Sequence, residues 1–414
     1  MTRLAHSVCR GLAAFPLMVM LAGAASVPTT KVLYSFTGNS DGGYPDTDLV
    51  VDAAGNLYGS SVEGGTFDSG AVFKLSPSTT GWTETVLYSF TGGIDGGQPY
   101  GGVTLDAQGN LYGTAVVGGS FAGSPCVESG CGVVFKLTNS GGTWTYSAVH
   151  KFAGGNDGYG PGSGLTFDGN SNFYGMTPTG GANGLGVIYQ IHVDQNGNHG
   201  ERVIHTFAGA SDGATGSAGR LLLDKTGNLY GVATVGGANG AGTAFKLSRG
   251  SNGAWNFETL YSFQGQTNAG FPYGALTADA AGNFYGTTYY SGANGIGAVY
   301  ELSPVNGAYQ ERLLYSFAGG ADGSYPISNL VSDAAGNLYG TTSEGGASCS
   351  CGTIFRLHLG NDGNWKEEVV HRFKGAPDGG FSYNGMVAGP AGVFYGTTVH
   401  GGTNDEGSIY QFTP

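Results

Sequence analysis

Four side chains that could do chemistry stand directly before glycine pairs that recur along the chain. Glu63, Glu344 and His400 each precede Gly-Gly, and Tyr290 precedes Ser-Gly. Two carboxylates at a suitable separation form the working pair of glycoside hydrolysis, and His or Tyr can transfer protons. The equivalent residues elsewhere are Val117, Thr179 and Val235. A polysaccharide hydrolase or lyase would therefore depend on Glu63, Tyr290, Glu344 and His400.

A second variable position precedes a proline in a glycine-rich loop. It is aromatic in four copies, which are Tyr44, Phe271, Tyr325 and Phe381, the last before a serine. We call these four residues the aromatic arc. Exposed rings stack on the C–H faces of a sugar while nearby carboxylates bond its hydroxyls, so the set favours a carbohydrate ligand. The alternative is that the rings only pack one loop against the next.

Two aspartate positions also recur, and they could bind calcium or serve turns. One precedes glycine at Asp41, Asp95, Asp157, Asp212, Asp322 and Asp378. The other follows a short apolar run at Asp52, Asp106, Asp168, Asp224, Asp279 and Asp333. A turn is needed in every repeat whereas a ligand site is needed once, so we expect turn capping and no bound metal or cofactor.

These residues belong to a repeat of about 55 residues that occurs seven times. Its landmarks are a strand ending in Phe, the segment Gly-Asn-Leu-Tyr-Gly, and an alternating strand such as 71–75. Period-2 alternation between glycine-rich turns predicts four short strands per repeat, here 49–52, 56–61, 71–75 and 84–90. Four strands per repeat of this length are typical of propeller blades.

The two ends of the chain complement one another. Residues 31–36 read as a fourth strand with no first three before it, and 408–412 as a third strand with no fourth behind it. We therefore predict an all-β, seven-bladed β-propeller with four antiparallel strands per blade, formed by residues 31–414, in which 31–36 completes the blade of 384–414. In such a ring, blades 5, 6, 7 and 1 are contiguous and gather the aromatic arc on one side.

Composition limits the partners of the chain. The net charge is −13 with only 16 Lys and Arg, so neither nucleic acid nor an anionic membrane surface is expected as a partner. Residues 1–25 read as a signal peptide, too short in its apolar part to span a membrane, which predicts a secreted or periplasmic protein. Low charge and a closed ring favour a monomer.

The cysteines that follow the signal peptide occur in two close pairs. Cys126 and Cys131 lie in one insertion, and we expect them to form a disulfide, which suits an oxidising compartment. Cys349 and Cys351 could bridge within a tight loop. The alternative is a four-thiolate metal site, which would require two distant loops to meet.

The repeat resembles the GloVer (Gloeo/Verruco) tandem-repeat family of exported bacterial proteins. The matching segments are 87–90, Asp95-Gly96, Asp106 with 109–113, Gly118-Gly119 and 134–137, and the likeness extends over 31–414. The resemblance implies export and a repeat fold and implies no particular activity. The first two strands are also similar to NHL-type propeller blades.

We therefore expect a non-catalytic extracellular module that binds carbohydrate or a cell-surface partner. Its ligand-binding residues would be the aromatic arc together with Glu63, Tyr290, Glu344 and His400. A polysaccharide-degrading lyase or hydrolase and a purely structural surface protein are the alternatives. No nucleophile elbow or phosphate-binding loop in the right context supports another chemistry.

Overall fold

The computed structural model describes residues 27–122, 125–194, 196–216, 219–346 and 348–414. Its strands form seven separate antiparallel sheets, each of which pairs its strands in the order first to fourth from the axis outward. Only two short 3-10 turns, Gly155–Asp157 and Pro390–Gly392, interrupt the β-structure of the described residues. The predicted seven-bladed, all-β propeller is confirmed.

The strands of blades 1 to 4 follow the predicted landmarks. In blade 1 they are Val50–Val51, Leu57–Ser61, Ala71–Ser78 and Gly81–Ser89. In blade 2 they are Val103–Leu105, Leu111–Ala115, Val133–Ser140 and Thr143–Lys151. In blade 3 they are Thr166–Phe167, Asn172–Thr177, Val187–Val193 and His199–Thr206. In blade 4 the first strand has two parts, and the segments are Ala214–Gly216 with Leu222–Leu223, Leu229–Val235, Thr243–Arg249 and Trp255–Ser262.

Blades 5 to 7 repeat the pattern. Blade 5 again divides its first strand, giving Ala269–Pro272 with Thr277–Ala278, Phe284–Ser291, Ala298–Val305 and Ala308–Ser316. Blade 6 has Val331–Ser332, Leu338–Thr342, Thr353–Leu359 and Trp365–Arg372. Blade 7 has Val387–Ala388, Phe394–Thr398, Ser408–Thr413 and, as its fourth strand, Thr29–Ser35.

Each blade is held by an aromatic ring that a glycine accommodates. In blade 1, Gly59 is the register partner of Phe73, whose ring is fully buried. A Cβ on Gly59 would come within 2.7 Å of that ring, so no larger residue fits without displacing it. This close approach explains why the second glycine of the Gly-Asn-Leu-Tyr-Gly landmark recurs in every blade.

The N-terminal strand closes the ring. Thr29–Ser35 pairs antiparallel with Ser408–Thr413, and Lys31 lies opposite Gln411. Phe36, at the end of this strand, is fully buried in a cluster with Phe73 of blade 1. Closure of this kind leaves no unpaired edge at the junction of the termini.

The predicted signal peptide, residues 1–25, lies outside the described residues. Within the described residues, no helix is both long and apolar enough to span a bilayer.

Both cysteine pairs form local disulfides. Cys126 bonds Cys131 across a Cα separation of 4.9 Å, and Cys349 bonds Cys351. With all four sulfurs in these bonds, the alternative of a shared four-thiolate metal site does not hold. The first disulfide packs against Gly154 in the loop that leads into blade 3, because a Cβ there would lie 3.3 Å from the sulfur of Cys131.

Candidate functional site

The loop that connects each fourth strand to the next blade is here called the inter-blade loop. In five blades its residue directly before the proline, or before the equivalent serine, is a non-glycine residue in the left-handed backbone region. Tyr44, Gln98, Phe271, Tyr325 and Phe381 all have φ between 50° and 56°. In blade 3 the same place is taken by Gly160, at φ 66°. The conformation costs a non-glycine residue about 1 kcal/mol or more. Because glycine suffices in blade 3, the backbone does not require an aromatic residue here.

A backbone hydrogen bond fixes this residue against the preceding blade. The N–H of Tyr44 donates to the carbonyl of Glu406 at 2.9 Å, and that of Tyr325 donates to Ile296 at 2.8 Å. The carbonyl of each also accepts from the loop between the second and third strands of its own blade, the 2–3 loop. Their side chains are half-buried on the face that carries both loop sets.

The aromatic arc interleaves with the residues before the glycine pairs. The exposed Tyr290 ring lies between Phe271 and Tyr325, with centroid distances of 6.2 and 6.0 Å. The His400 ring lies between Phe381 and Tyr44, at 5.3 and 5.1 Å. Tyr290 and His400 therefore each bridge the aromatic residue of their own blade and that of the next.

Glu344 and Glu63 occupy the same repeat position as Tyr290 and His400, so the two glutamates continue the alternation with the aromatic arc. Glu344 is paired with Ser324 beside Tyr325, and Glu63 is paired with Gly43 beside Tyr44. Both carboxylates are exposed. The eight residues therefore alternate around half of the rim in the order Phe271, Tyr290, Tyr325, Glu344, Phe381, His400, Tyr44 and Glu63. The glutamates belong to blades 6 and 1, which are separated by the whole of blade 7.

A cavity of about 650 Å³ lies on the axis of the ring, inside this rim. Residues from all seven blades line it, and Glu344 and Tyr289 connect it to the arc. Its upper wall is built from the residue that follows the proline, or the equivalent serine, of the inter-blade loops. In the blades whose loops are fully described these residues are Asp46, Tyr100, Gly162, Tyr273, Ile327 and Tyr383.

Asp46 is the acid at the centre of this wall. Its carboxylate accepts a hydrogen bond from the Asn384 amide at 2.6 Å, and burial raises the pKa of Asp46 to about 6. Burial, with the charge of Asp46 as a smaller cause, also raises the pKa values of the phenols of Tyr273 and Tyr383. The wall thus combines an acceptor with phenolic hydroxyls that stay protonated and can donate.

Below Asp46, an ion pair crosses the channel. Arg220 of blade 4 lies 3.8 Å from Asp48 of blade 1, atoms Nε and Oδ2, and donates to Thr104 Oγ1 at 2.6 Å. Burial raises the pKa of Asp48, and the Arg220 charge opposes that rise. Gly164 leaves room for the guanidinium, since a Cβ there would lie 3.0 Å from Arg220 Nε. No feature of the repeat pattern predicts this pair, because its two residues belong to blades 1 and 4.

The aspartates before glycine bind the fourth strand of the preceding blade. Asp41 accepts from the Tyr34 hydroxyl at 2.8 Å and from the backbone N–H of Thr37 at 2.9 Å. His150 takes the place of the tyrosine beside Asp157, at 3.1 Å. The two partners are always seven residues apart, a spacing visible in the sequence that would have identified the contact.

The aspartates after the first strand cap their own turns, as the capping interpretation expects. Asp52 Oδ1 accepts from the N–H groups of Ala54 and Asn56, both at 2.9 Å. Oδ2 accepts from the Asn56 amide at 2.7 Å and the Tyr58 hydroxyl at 3.1 Å. With their acceptor sites used in this way, these carboxylates serve the turns.

Comparison with solved structures identifies the same architecture elsewhere. The extracellular domain described for a putative one-component system, BT4673 of B. thetaiotaomicron, matches with a TM-score of 0.55 and 11% identity. The match covers 92% of this chain and 40% of that one, so this chain spans about two fifths of its length.

Two further structures are less similar. A Thermus thermophilus protein, TTHA0570, described as an oxidoreductase of the glucose dehydrogenase type, has a TM-score of 0.43 and 17% identity, with 76% of this chain and 96% of that one covered. A Dyadobacter fermentans protein of unknown function has a TM-score of 0.40 and 10% identity, with 94% and 99% covered.

No curated protein sequence matches the chain. The profile of the Gloeobacter/Verrucomicrobia repeat family, in contrast, matches in three overlapping segments, residues 21–166, 126–349 and 219–414. Together these segments cover every blade, including the repeats that carry the arc and the axial cavity. The chain therefore belongs to the Gloeobacter/Verrucomicrobia repeat family.

Proposed function

We propose that the protein is an exported, non-catalytic binding propeller that holds a neutral oligosaccharide at the mouth of its axial cavity. The observation that carries the proposal is that the aromatic arc borders a cavity of about 650 Å³, to which Tyr289 and Glu344 connect it. Cavities of this size accommodate small organic ligands. Tyrosines and interspersed acids offer both stacking faces and hydroxyl partners, which is what a sugar requires.

The backbone supports a ligand role for the arc. Residues kept in a costly conformation often serve function, and here the cost falls on the four residues of the aromatic arc and on Gln98 of blade 2. Gly160 takes up the same conformation in blade 3 without that cost. Because Gln98 and Gly160 occupy this position in blades 2 and 3, the loop conformation itself does not require the rings of the aromatic arc.

The charge of the site favours a neutral sugar over an acidic one. Asp46, Asp48 and Glu344 line the cavity, and Arg220 opposes only Asp48. A uronate or sulfate group entering this wall would meet uncompensated negative charge in a partly dehydrated space. Neutral hydroxyls can instead donate to Asp46 and Glu344 and accept from the phenols of the wall.

One sequence expectation and two observations support export. The expected signal peptide precedes the propeller, two disulfides suit an oxidising compartment, and BT4673, the structural neighbour that shares the fold, is described as an extracellular domain. We propose the periplasm or the cell exterior as the location of the folded chain.

A screen of neutral and uronate-containing glycans against the purified protein tests the proposal. We expect saturable binding of neutral glycans, weakened at least tenfold by Tyr325→Gly or Phe381→Gly. Gln98→Gly is the matched control, because it makes the same backbone change at the same loop position in blade 2. The proposal would be contradicted if no glycan of the screen bound, or if all three variants bound equally well. Release of shortened products would instead favour the hydrolase or lyase.

A further inference from the structure

The inter-blade contact between a fourth-strand Tyr or His and an aspartate has a third member. It is the residue six positions before the terminal Phe in the fourth strand of the next blade. The third residues are Glu84, Tyr146, Glu201, Phe257, Glu311, Glu367 and Thr30. We call each set of three an inter-blade cluster. Seven copies of this arrangement are thus present in a single chain, and their side chains differ from one cluster to another.

The cluster between blades 2 and 3 joins His150, Asp157 and Glu201. One ligand atom from each lies within 4.8 Å of the other two, and this group alone meets that criterion for three metal-binding side chains among the described residues. His150 Nε2 is 3.1 Å from Asp157 Oδ1 and 3.2 Å from Oδ2. Glu201 contributes an oxygen, Oε1, that is shielded from solvent and has no hydrogen-bond partner in the described residues.

The other clusters each lack at least one part of this donor set. Tyrosine replaces the histidine beside Asp41 and Asp322, and a phenol at neutral pH is a poor metal ligand. Beside His205 and Asp212 the third residue is Phe257, whose ring stacks on the imidazole at 3.9 Å. The chain therefore supplies its own control sites, built on the same backbone.

The surroundings hold the three side chains in place. The His150 ring packs edge-on against Phe152, with a centroid distance of 4.7 Å. The loop that carries Asp157 rests on the Cys126–Cys131 disulfide, and its Gly160 N–H donates to the Cys131 carbonyl at 2.9 Å. His150 and Asp157 remain 21% and 20% exposed, so an ion could reach them from solvent.

We propose that His150, Asp157 and Glu201 form a binding site for a divalent transition-metal ion, with zinc as the best-fitting probe. One imidazole nitrogen and two carboxylates with an open fourth position are a donor set that zinc accepts. Metal–ligand bonds of about 2.1 Å would draw the three atoms to about 3.4 Å from one another. The ion replaces the hydrogen bond between His150 and Asp157 and gives the orphan oxygen of Glu201 a partner. This site is separate from the arc and does not depend on the proposed sugar binding.

The test is zinc titration of the tag-free protein by calorimetry, with cobalt absorption as a second readout. We expect one equivalent to bind the wild type and at least a tenfold loss of affinity in His150→Tyr. Tyrosine occupies this position in four other clusters and still bonds its aspartate in three of them, so this variant should fold. Glu201→Phe copies the cluster of blades 3 and 4 and should lose the site as well.

The reciprocal variant is Phe257→Glu, which gives His205 and Asp212 the missing carboxylate. We expect it to bind a second equivalent of zinc. Absence of saturable zinc and cobalt binding in the wild type would overturn the proposal. So would wild-type affinity in both His150→Tyr and Glu201→Phe, because the ion would then be held by other surface groups.

Discussion

Arg220 and Asp48 join blades 4 and 1 across the propeller axis, 3.8 Å apart, although 172 positions separate them in the sequence. They occupy the same repeat position, directly before the leucine that leads into the first strand. The two side chains are 22% and 27% exposed, through the cavity. The pair therefore couples distant blades and keeps the charge of Asp48 compensated.

Removal of the arginine should destabilise the ring. Arg220→Met leaves Asp48 without its partner and should lower the free energy of unfolding by about 2 kcal/mol, less than for a fully dehydrated pair. In an Asp48→Asn background the same change should cost clearly less, because no carboxylate is left uncompensated. Denaturant unfolding of the four proteins in this cycle measures the difference. Equal costs in both backgrounds would show that the ion pair carries no coupling.

A covalent lock on the closing blade should stabilise the fold. Lys31 and Gln411 are opposite each other in the pair of strands that joins the two ends. In the double variant Lys31→Cys with Gln411→Cys, an oxidised bond would close a loop of nearly the whole propeller and add about 3 kcal/mol or more, by restricting the unfolded chain. Denaturant midpoints with and without reductant give the effect, and the wild type under both conditions corrects for the native disulfides. Unchanged midpoints with the new bond formed would contradict the prediction and would mean that strain in the folded strand pair offsets the restriction of the unfolded chain.

The backbone cost in the inter-blade loops can be measured by a reciprocal exchange. Gln98 and Gly160 share the left-handed conformation, and a Cβ on Gly160 would meet no atom within 4 Å. Gly160→Gln should therefore lower the free energy of unfolding by no more than about 1 kcal/mol, because the cost of the φ angle is partly offset by a more restricted unfolded chain. Gln98→Gly should change it by less than about 1 kcal/mol, since relief of strain is offset by a freer unfolded chain. If both changes were strongly destabilising, side-chain packing and not backbone strain would dominate these loops.

Stability should fall as the pH rises through neutrality. Burial, followed by the charge of the neighbouring aspartate, raises the pKa of Glu84 and Glu367 to about 7. In the folded state the pKa of each group therefore lies above its unfolded value of about 4.5. Their contribution to the free energy of unfolding is complete below pH 4.5 and is lost as the pH passes 7. Thermal midpoints should decrease between about pH 5 and 8. The double variant Glu84→Gln with Glu367→Gln should show a smaller decrease, and an identical slope would exclude these groups as the cause.

At low pH the capping aspartates act in the opposite sense. Asp224 is one of these aspartates. Burial alone would raise its pKa, but hydrogen bonds within the turn that it caps lower the pKa to about 2. Its contribution is present above pH 3.8 and is lost as the pH falls towards 2.

The sequence predicted the blades more completely than the site. Landmarks such as Phe36 and the 55–59 segment recur at fixed spacing, and each reflects a local requirement for a strand, a turn or a ring beside a glycine. The alternation of Tyr290 and His400 with the aromatic arc followed from the same register. Arg220 and Asp48 could not be paired in this way, because a contact across the axis depends on the diameter of the closed ring. Asp46 and Tyr383 were not predicted as site residues. They follow the proline or the equivalent serine, whereas the aromatic arc was recognised at the residue before it.

The decisive measurement is a structure of the protein bound to the neutral glycan with the highest affinity in the screen. We expect a sugar ring over Tyr290 and Tyr325, with its hydroxyls bonded to Glu344 and to the groups around Asp46. A glycan bound away from the arc and the axial cavity, or rings that stay packed between the loops while the ligand lies elsewhere, would contradict it.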